Sequence, residues 1–209
     1  MLKQIIGISL IVLGIIGLFL PFLQGILLII VGYGMLNVKK VHPFIRYPLK
    51  LLYYLKIKRT YGTLPKPPFI VVSNHNSLLD PLYISYLIIT NLNKKIHFIA
   101  SPTWSFLGKT ICEKWAGCIM LYDRKEAYSK AKEYVQQGKI VGIFPEGKLG
   151  SNCIKIGAIR LALDTKTPIL PIHIDYLSKS LAIKELYRAK RNVNYRKQML
   201  EILSKNQKV

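Results

Sequence analysis

The chain has 209 residues, with 31 Lys and Arg against 10 Asp and Glu, and a formal net charge of +21 at pH 7. Such a balance favours an anionic partner, whether nucleic acid, an anionic membrane surface or a phosphorylated substrate, and a hydrophobic content of 51% excludes a disordered basic tail. Length excludes two catalytic domains once an apolar N-terminus is set aside, and Cys112, Cys118 and Cys153, with no C-x-x-C pair, exclude a disulfide framework and fit a reducing compartment.

No charged residue falls between Gln4 and Val38, a run longer than the ~20 residues that one membrane crossing needs. Pro21 and Gln24-Gly25 interrupt it and predict two short helices, over about 4–20 and 25–37, joined by a turn. The second helix is only ~20 Å long, short of a ~30 Å hydrocarbon core. Lys3 at one end and Lys39 and Lys40 at the other favour the cytoplasmic side for both. A hairpin over 1–40, dipping into one leaflet, satisfies these features, with one long tilted crossing as the alternative. A cleaved signal peptide fits poorly, because no A-x-A-like site ends the run. Residues 41–62 mix aromatics with Lys and Arg, which suits the membrane–water interface or a surface helix with a solvated basic face.

From 63 to 209 apolar runs alternate with helical patterns. Strands are expected over Phe69–Ser73, Ile96–Ala100, Gly117–Leu121, Lys139–Phe144 and Ile169–Ile174. Helices are expected over Leu82–Thr90, Thr103–Cys112, Arg124–Gln137 and Ile156–Asp164, with a basic helical tail from Leu181 to about Ser204. The alternation predicts an α/β domain, a mostly parallel central sheet flanked by helices. In such sheets ligands gather beyond the carboxyl ends of the strands.

Three segments at strand ends carry residues suited to chemistry. Asn74-His75-Asn76-Ser77-Leu78-Leu79-Asp80-Pro81 follows the first long strand. The turn can bring Asp80 to one ring nitrogen of His75, leaving the other free to accept a proton; alternatively Asp80 only caps the helix that Pro81 opens. Gly117 through Arg124 ends by placing an arginine at a helix start, where an anion is better suited than a cation. Arg124 there serves an anion held at the same terminus, or is a surface arginine paired with a nearby acid. Phe144-Pro145-Glu146-Gly147-Lys148 puts a carboxylate beside a permissive glycine, with Lys155 nearby; the alternative is an ordinary turn. Gly142 to Leu149 nearly matches a phosphate-binding loop, but Leu149 replaces the metal-binding hydroxyl and Pro145 removes an N–H, which argues against nucleotide hydrolysis. There is no G-x-S-x-G elbow, which argues against a serine lipase.

Together the segments resemble the lysophosphatidic acid acyltransferase family, the 1-acyl-sn-glycerol-3-phosphate O-acyltransferases and their phospholipid/glycerol acyltransferase relatives. The resemblance spans about residues 65–180. Asn74, His75 and Asp80 match N-H-x-x-x-x-D, and Gly117 to Arg124 match the second block. Phe144 to Gly147 match F-P-E-G. Lys155-Ile156-Gly157-Ala158 follow as K-x-G-A, and Pro168-Ile169-Leu170-Pro171-Ile172 match P-I-x-P-V. The resemblance implies an α/β fold, often with a hydrophobic N-terminal anchor, and acyl transfer from acyl-CoA or acyl-carrier protein to a lysophospholipid hydroxyl. It makes His75 the general base and Asp80 the residue that orients it. Asn74, Arg124, Glu146, Gly147, Lys148 and Lys155 would shape the acceptor site, and Pro171 the acyl-donor side. No metal or bound cofactor is implied.

The departure is Lys148-Leu149-Gly150 where the family has T-R-S. A lysine supplies a point charge in place of a bidentate fork, so the acceptor is lysophosphatidic acid or another lysophospholipid that a remodelling acyltransferase or transacylase would use. The expected partners are that lipid, the acyl donor and an anionic membrane surface on the cytoplasmic face, with no nucleic acid. A membrane-tethered binder of anionic lipid or nucleic acid, without catalysis, is the alternative of a different class.

Overall fold

A computed structural model describes residues 50–204 apart from 52, 103–111, 114–116, 150 and 152. The expected hairpin over 1–40, residues 41–49 and the helix expected over 103–111 lie outside the described residues. Among those described, no helix is long and apolar enough to cross a membrane.

Seven strands form one sheet: β1 (Arg59–Tyr61), β2 (Ile70–Ser73), β3 (Ile96–Ala100), β4 (Ile119–Met120), β5 (Ile140–Ile143), β6 (Ile169–Asp175) and β7 (Ser180–Ile183), in the order β1-β7-β6-β2-β5-β3-β4. Five strands, β6 to β4 in that order, run parallel. β7 is antiparallel to β6, and β1 is parallel to β7. The helices are α1 (Asp80–Leu92), α2 (Arg124–Gln136), α3 (Gly157–Thr165) and α4 (Tyr195–Ser204).

All four residues of β2 are buried, as a central parallel strand covered on both faces requires. Alternation divides the core. Val71, Leu170 and Phe98 meet Tyr83, Ile84 and Leu87 of α1 on one face. Ile70, Val72 and Val141 meet Ala131 of α2, Ile159 of α3 and Met199 of α4 on the other. β2 sits between β6 and β5, so the turns after β2, β5 and β6 share one edge of the sheet.

One expectation needs correction. The helical tail expected from Leu181 is a strand first, with Ser180 to Ile183 fully buried between β6 and β1, and helix only from Tyr195. A four-residue apolar run suits either state; here two neighbouring strands supply the pairing that decides it. β1, three exposed residues in the segment expected at the interface, joins the sheet by pairing Arg59 with Ser180.

Candidate active site

The strand-to-helix turn after β2 carries His75. Its Nδ1 lies 3.1 Å from Asp80 Oδ2. A carboxylate accepts, so Nδ1 carries the proton and Nε2 presents a lone pair. Asp80 is fully buried. Its Oδ2 also accepts the N–H groups of Asn76 at 2.7 Å and Ser77 at 2.8 Å, and Oδ1 accepts the Tyr176 hydroxyl. The N-terminal position before α1 is Leu79, which makes no side-chain cap bond. Asp80 therefore turns back onto its own loop and the imidazole, and does not cap the helix that Pro81 opens.

The ring of His75 stacks on Phe144 at 4.2 Å, and Phe144 stacks on Phe98 at 5.3 Å. This covers one face of the imidazole with an apolar wall. On the backbone side, His75 N–H donates to Glu146 Oε1 at 3.3 Å, joining the first and third segments. Burial pushes the Glu146 carboxyl above its ordinary value, and the His75 N–H works against that rise. Asn74 binds the opposite strand: its Nδ2 donates to the Ile174 carbonyl at 2.8 Å and its Oδ1 accepts the Ile174 N–H at 2.9 Å.

The glycine of the third segment has φ +70°, and a Cβ on Gly147 would lie 2.3 Å from Lys155 Nζ. The lysine therefore crosses the turn beside Glu146, which only a glycine in this left-handed conformation permits. Lys148 is exposed in the same loop. Arg124 is the first residue of α2, exposed, while Asp123 caps the helix through the N–H groups of Lys125 and Glu126, each at 2.8 Å. Among the described residues its guanidinium has no ion pair. β4 and β2 are three strand spacings apart, about 14 Å, so Arg124 shares the edge with His75 without touching it. Pro171 is buried within β6 opposite Val72, its carbonyl accepting Lys184 N–H at 3.0 Å.

The sequence segments that converge here fall inside a match between residues 56–175 and the family model described as Acyltransferase. That is more than half of the chain. It belongs to the acyltransferase family.

Relatives of this acyltransferase include the probable 1-acyl-sn-glycerol-3-phosphate acyltransferase of Mycoplasma genitalium, 31% identical over 153 residues, covering 63% of this chain and 54% of that protein. The 1-acyl-sn-glycerol-3-phosphate acyltransferase alpha of Mus musculus is 33% identical over 130 residues, covering 55% and 44%. The Homo sapiens enzyme of the same name is 31% identical over 137 residues, covering 59% and 47%. The match spans about half the length of these relatives.

Two acyltransferase features were not readable from motifs. Tyr176 reaches Asp80 from 96 residues away, and burial followed by the Asp80 bond raises its phenol above its ordinary value. The Phe98–Phe144 stack comes from β3 and the end of β5. A tyrosine directly after a strand of the same sheet edge was the available signal for the first. The arrangement as a whole can do one thing well: hold a neutral imidazole with Nε2 outward, against a buried fixed negative charge that stabilises the imidazolium once a proton arrives.

Proposed function

We propose that this acyltransferase moves a fatty acyl group from acyl-CoA or acyl-carrier protein onto the free hydroxyl of lysophosphatidic acid, giving phosphatidic acid at the cytoplasmic face of a membrane. The observation that carries the reading is the Nδ1–Asp80 contact at 3.1 Å, which leaves Nε2 as the proton acceptor. In the proposed step Nε2 removes the proton of the acceptor hydroxyl as its oxygen attacks the thioester carbonyl carbon. The tetrahedral adduct collapses, the C–S bond breaks, and the proton passes from the imidazolium to the departing thiolate. Asp80 remains ionised throughout, held by Asn76, Ser77 and Tyr176. Lys148, Lys155 and, from across the edge, Arg124 supply cations for the acceptor phosphate. Glu146 and Gly147 shape the turn that faces it, and Pro171 serves the donor side through its strand. The reaction as written calls for no metal or resident cofactor. The uncharged stretch over 1–40 is the proposed anchor.

A second reading rests on Lys148-Leu149-Gly150. A lysine without the bidentate geometry of arginine grips a bare phosphomonoester less specifically, which favours an acceptor with a larger headgroup. The test is acyl transfer by the purified full chain and by His75→Ala, with both donors, to lysophosphatidic acid and separately to lysophosphatidylcholine. Transfer to lysophosphatidic acid that falls ~10²–10⁴-fold in the variant supports the proposal. Transfer confined to the choline lipid moves the reading to a remodelling enzyme. Transfer to neither that depends on His75 overturns catalysis by this pair.

A further inference from the structure

The carboxyl ends of the parallel strands form one rim of the sheet, and His75 lies on it. Four turns along this rim each expose a large apolar side chain. Leu78 follows β2, Tyr122 follows β4, Leu149 follows β5 and Leu177 follows β6, with 57%, 52%, 42% and 97% of their surface exposed. Leu177 is held in that position. Its N–H donates to Asp175 Oδ1 at 2.9 Å, and the Ser178 hydroxyl donates to Asp175 Oδ2 at 2.7 Å. The turn is built, and it presents a leucine to solvent one residue after Tyr176, the partner of Asp80.

The same rim receives the chain from its N-terminal side. Lys58 N–H donates to the Lys179 carbonyl at 2.6 Å, so the helical turns at 50–56 end beside the Leu177 turn. They add Leu51, Tyr54 and Leu55, exposed at 58%, 53% and 62%. A single exposed leucine is ordinary. Seven of the eleven strongly exposed large apolar residues among those described lie on this one rim, and that is a patch with a use. Cations are interleaved with them: Arg124, Lys125, Lys148 and Lys179 are all exposed there. Two carboxylates of the rim, Asp123 and Asp175, are each taken up by backbone N–H groups. From β4 to β6 the rim crosses four strand spacings, about 19 Å. The uncharged run Gln4–Val38 ends shortly before the chain arrives here.

We infer that this rim is a docking surface for an anionic bilayer, with Leu78, Tyr122, Leu149 and Leu177 entering the boundary between headgroups and acyl chains around His75. Apolar tips supply insertion and the cations supply attraction to anionic lipid. The acceptor lipid then meets Nε2 with its acyl tail still in the bilayer. The activity arm of the test rests on the acyl-transfer reading; the fluorescence arm does not.

The full chain is bound to phosphatidylglycerol–phosphatidylcholine vesicles whose lipids carry bromine on the acyl chains. Tryptophan quenching is compared for the parent, for Leu177→Trp, and for Arg188→Trp, which lies before the amino end of β6 in the residues flanking its bridge to Tyr187. Blue-shifted, bromine-quenched emission from Leu177→Trp alone supports docking by the rim. Quenching at Arg188→Trp alone, or at neither, overturns it. A blue shift of Leu177→Trp without vesicles makes a second copy of the chain the occupant, and also overturns it. In the second arm, Leu149→Asp/Leu177→Asp is assayed with a short-chain monomeric acceptor and with acceptor in vesicles. Parental turnover on the monomer, with a loss of roughly 100-fold on vesicles from about tenfold per leucine, supports the inference. Equal turnover on both substrates overturns it. A parent inactive on the monomer with either donor overturns the acyl-transfer reading instead, and the quenching result still decides the surface.

Discussion

Both oxygens of Asp80 are engaged: Oδ2 by His75, Asn76 and Ser77, Oδ1 by Tyr176. A buried carboxylate with that many donors stays charged and stays put. Tyr176 touches no reacting atom in the proposed step, so it is a positioning residue. Tyr176→Phe keeps the ring packing against Tyr83 and removes one donor to a charged acceptor. We expect about 1.5–3 kcal/mol of lost stability in urea denaturation. We also expect kcat to fall, up to roughly 100-fold through small misplacement of the imidazole, with KM little changed; a rise in KM at constant kcat would contradict the positioning role. The His75–Asp80 pair is legible in sequence because both ends fit within one short turn. Tyr176 is not, because nothing near residue 176 says which strand end it will face. Its role exists only after β6 has paired with β2.

At the level of elements, the wall behind His75 depends on a residue with no side chain. A Cβ on Gly142 of β5 would meet Phe98 Cε1 at 2.3 Å and Cδ1 at 2.5 Å. Phe98 carries Phe144, and Phe144 carries the imidazole. Gly142→Ala therefore displaces a stack that ends at the catalytic ring. Overpacking of this kind costs about 1–3 kcal/mol, measurable as a lower urea midpoint. Activity should fall further than the loss of folded protein explains, and an unchanged specific activity of the folded fraction would show that Phe98 moves without Phe144. β2, β3, β5, β6, α1, α2 and α3 are readable to within a few residues because burial on both faces writes continuous apolar runs and helix periodicity into the chain. β1 is not readable: Arg59-Thr60-Tyr61 is exposed throughout and is a strand only because β7 offers an edge. β7 hides for the complementary reason, since Ser-Leu-Ala-Ile carries no preference that outweighs its neighbours.

For the whole molecule, acid is the informative perturbation. His97 on β3 donates from Nδ1 to the Gly117 carbonyl at 2.8 Å and sets its ring edgewise to Tyr134 at 4.6 Å. Burial lowers its pKa from the ordinary 6.5 to about 4, with Lys95, Lys139 and Lys130 adding to the fall and the Gly117 bond opposing it. The unfolded chain takes up this proton near pH 6.5, while the folded chain takes it up only near pH 4. Between those values the unfolded state binds more protons, so stability declines as pH falls. His173, also lowered by burial, acts in the same sense. Glu146, raised by burial, acts in the opposite sense, its ionisation costing stability as pH rises. We expect a Tm that is flat above about pH 6.5 and falls steadily toward pH 4, with a shallower fall in His97→Gln; an identical slope in the variant would remove His97 as the cause.

The sheet order has a further consequence, in the time domain of synthesis. β2 lies between β5 and β6, and the Asn74–Ile174 pair that fastens it spans 100 positions. At roughly 5–20 residues per second, a ribosome needs about 5–20 s to travel from one to the other. For that interval His75 and Asp80 exist as a turn with neither Tyr176 nor a neighbouring strand. The nascent chain has already made the stretch proposed to reach the membrane, so it arrives at its lipids before it owns a working base.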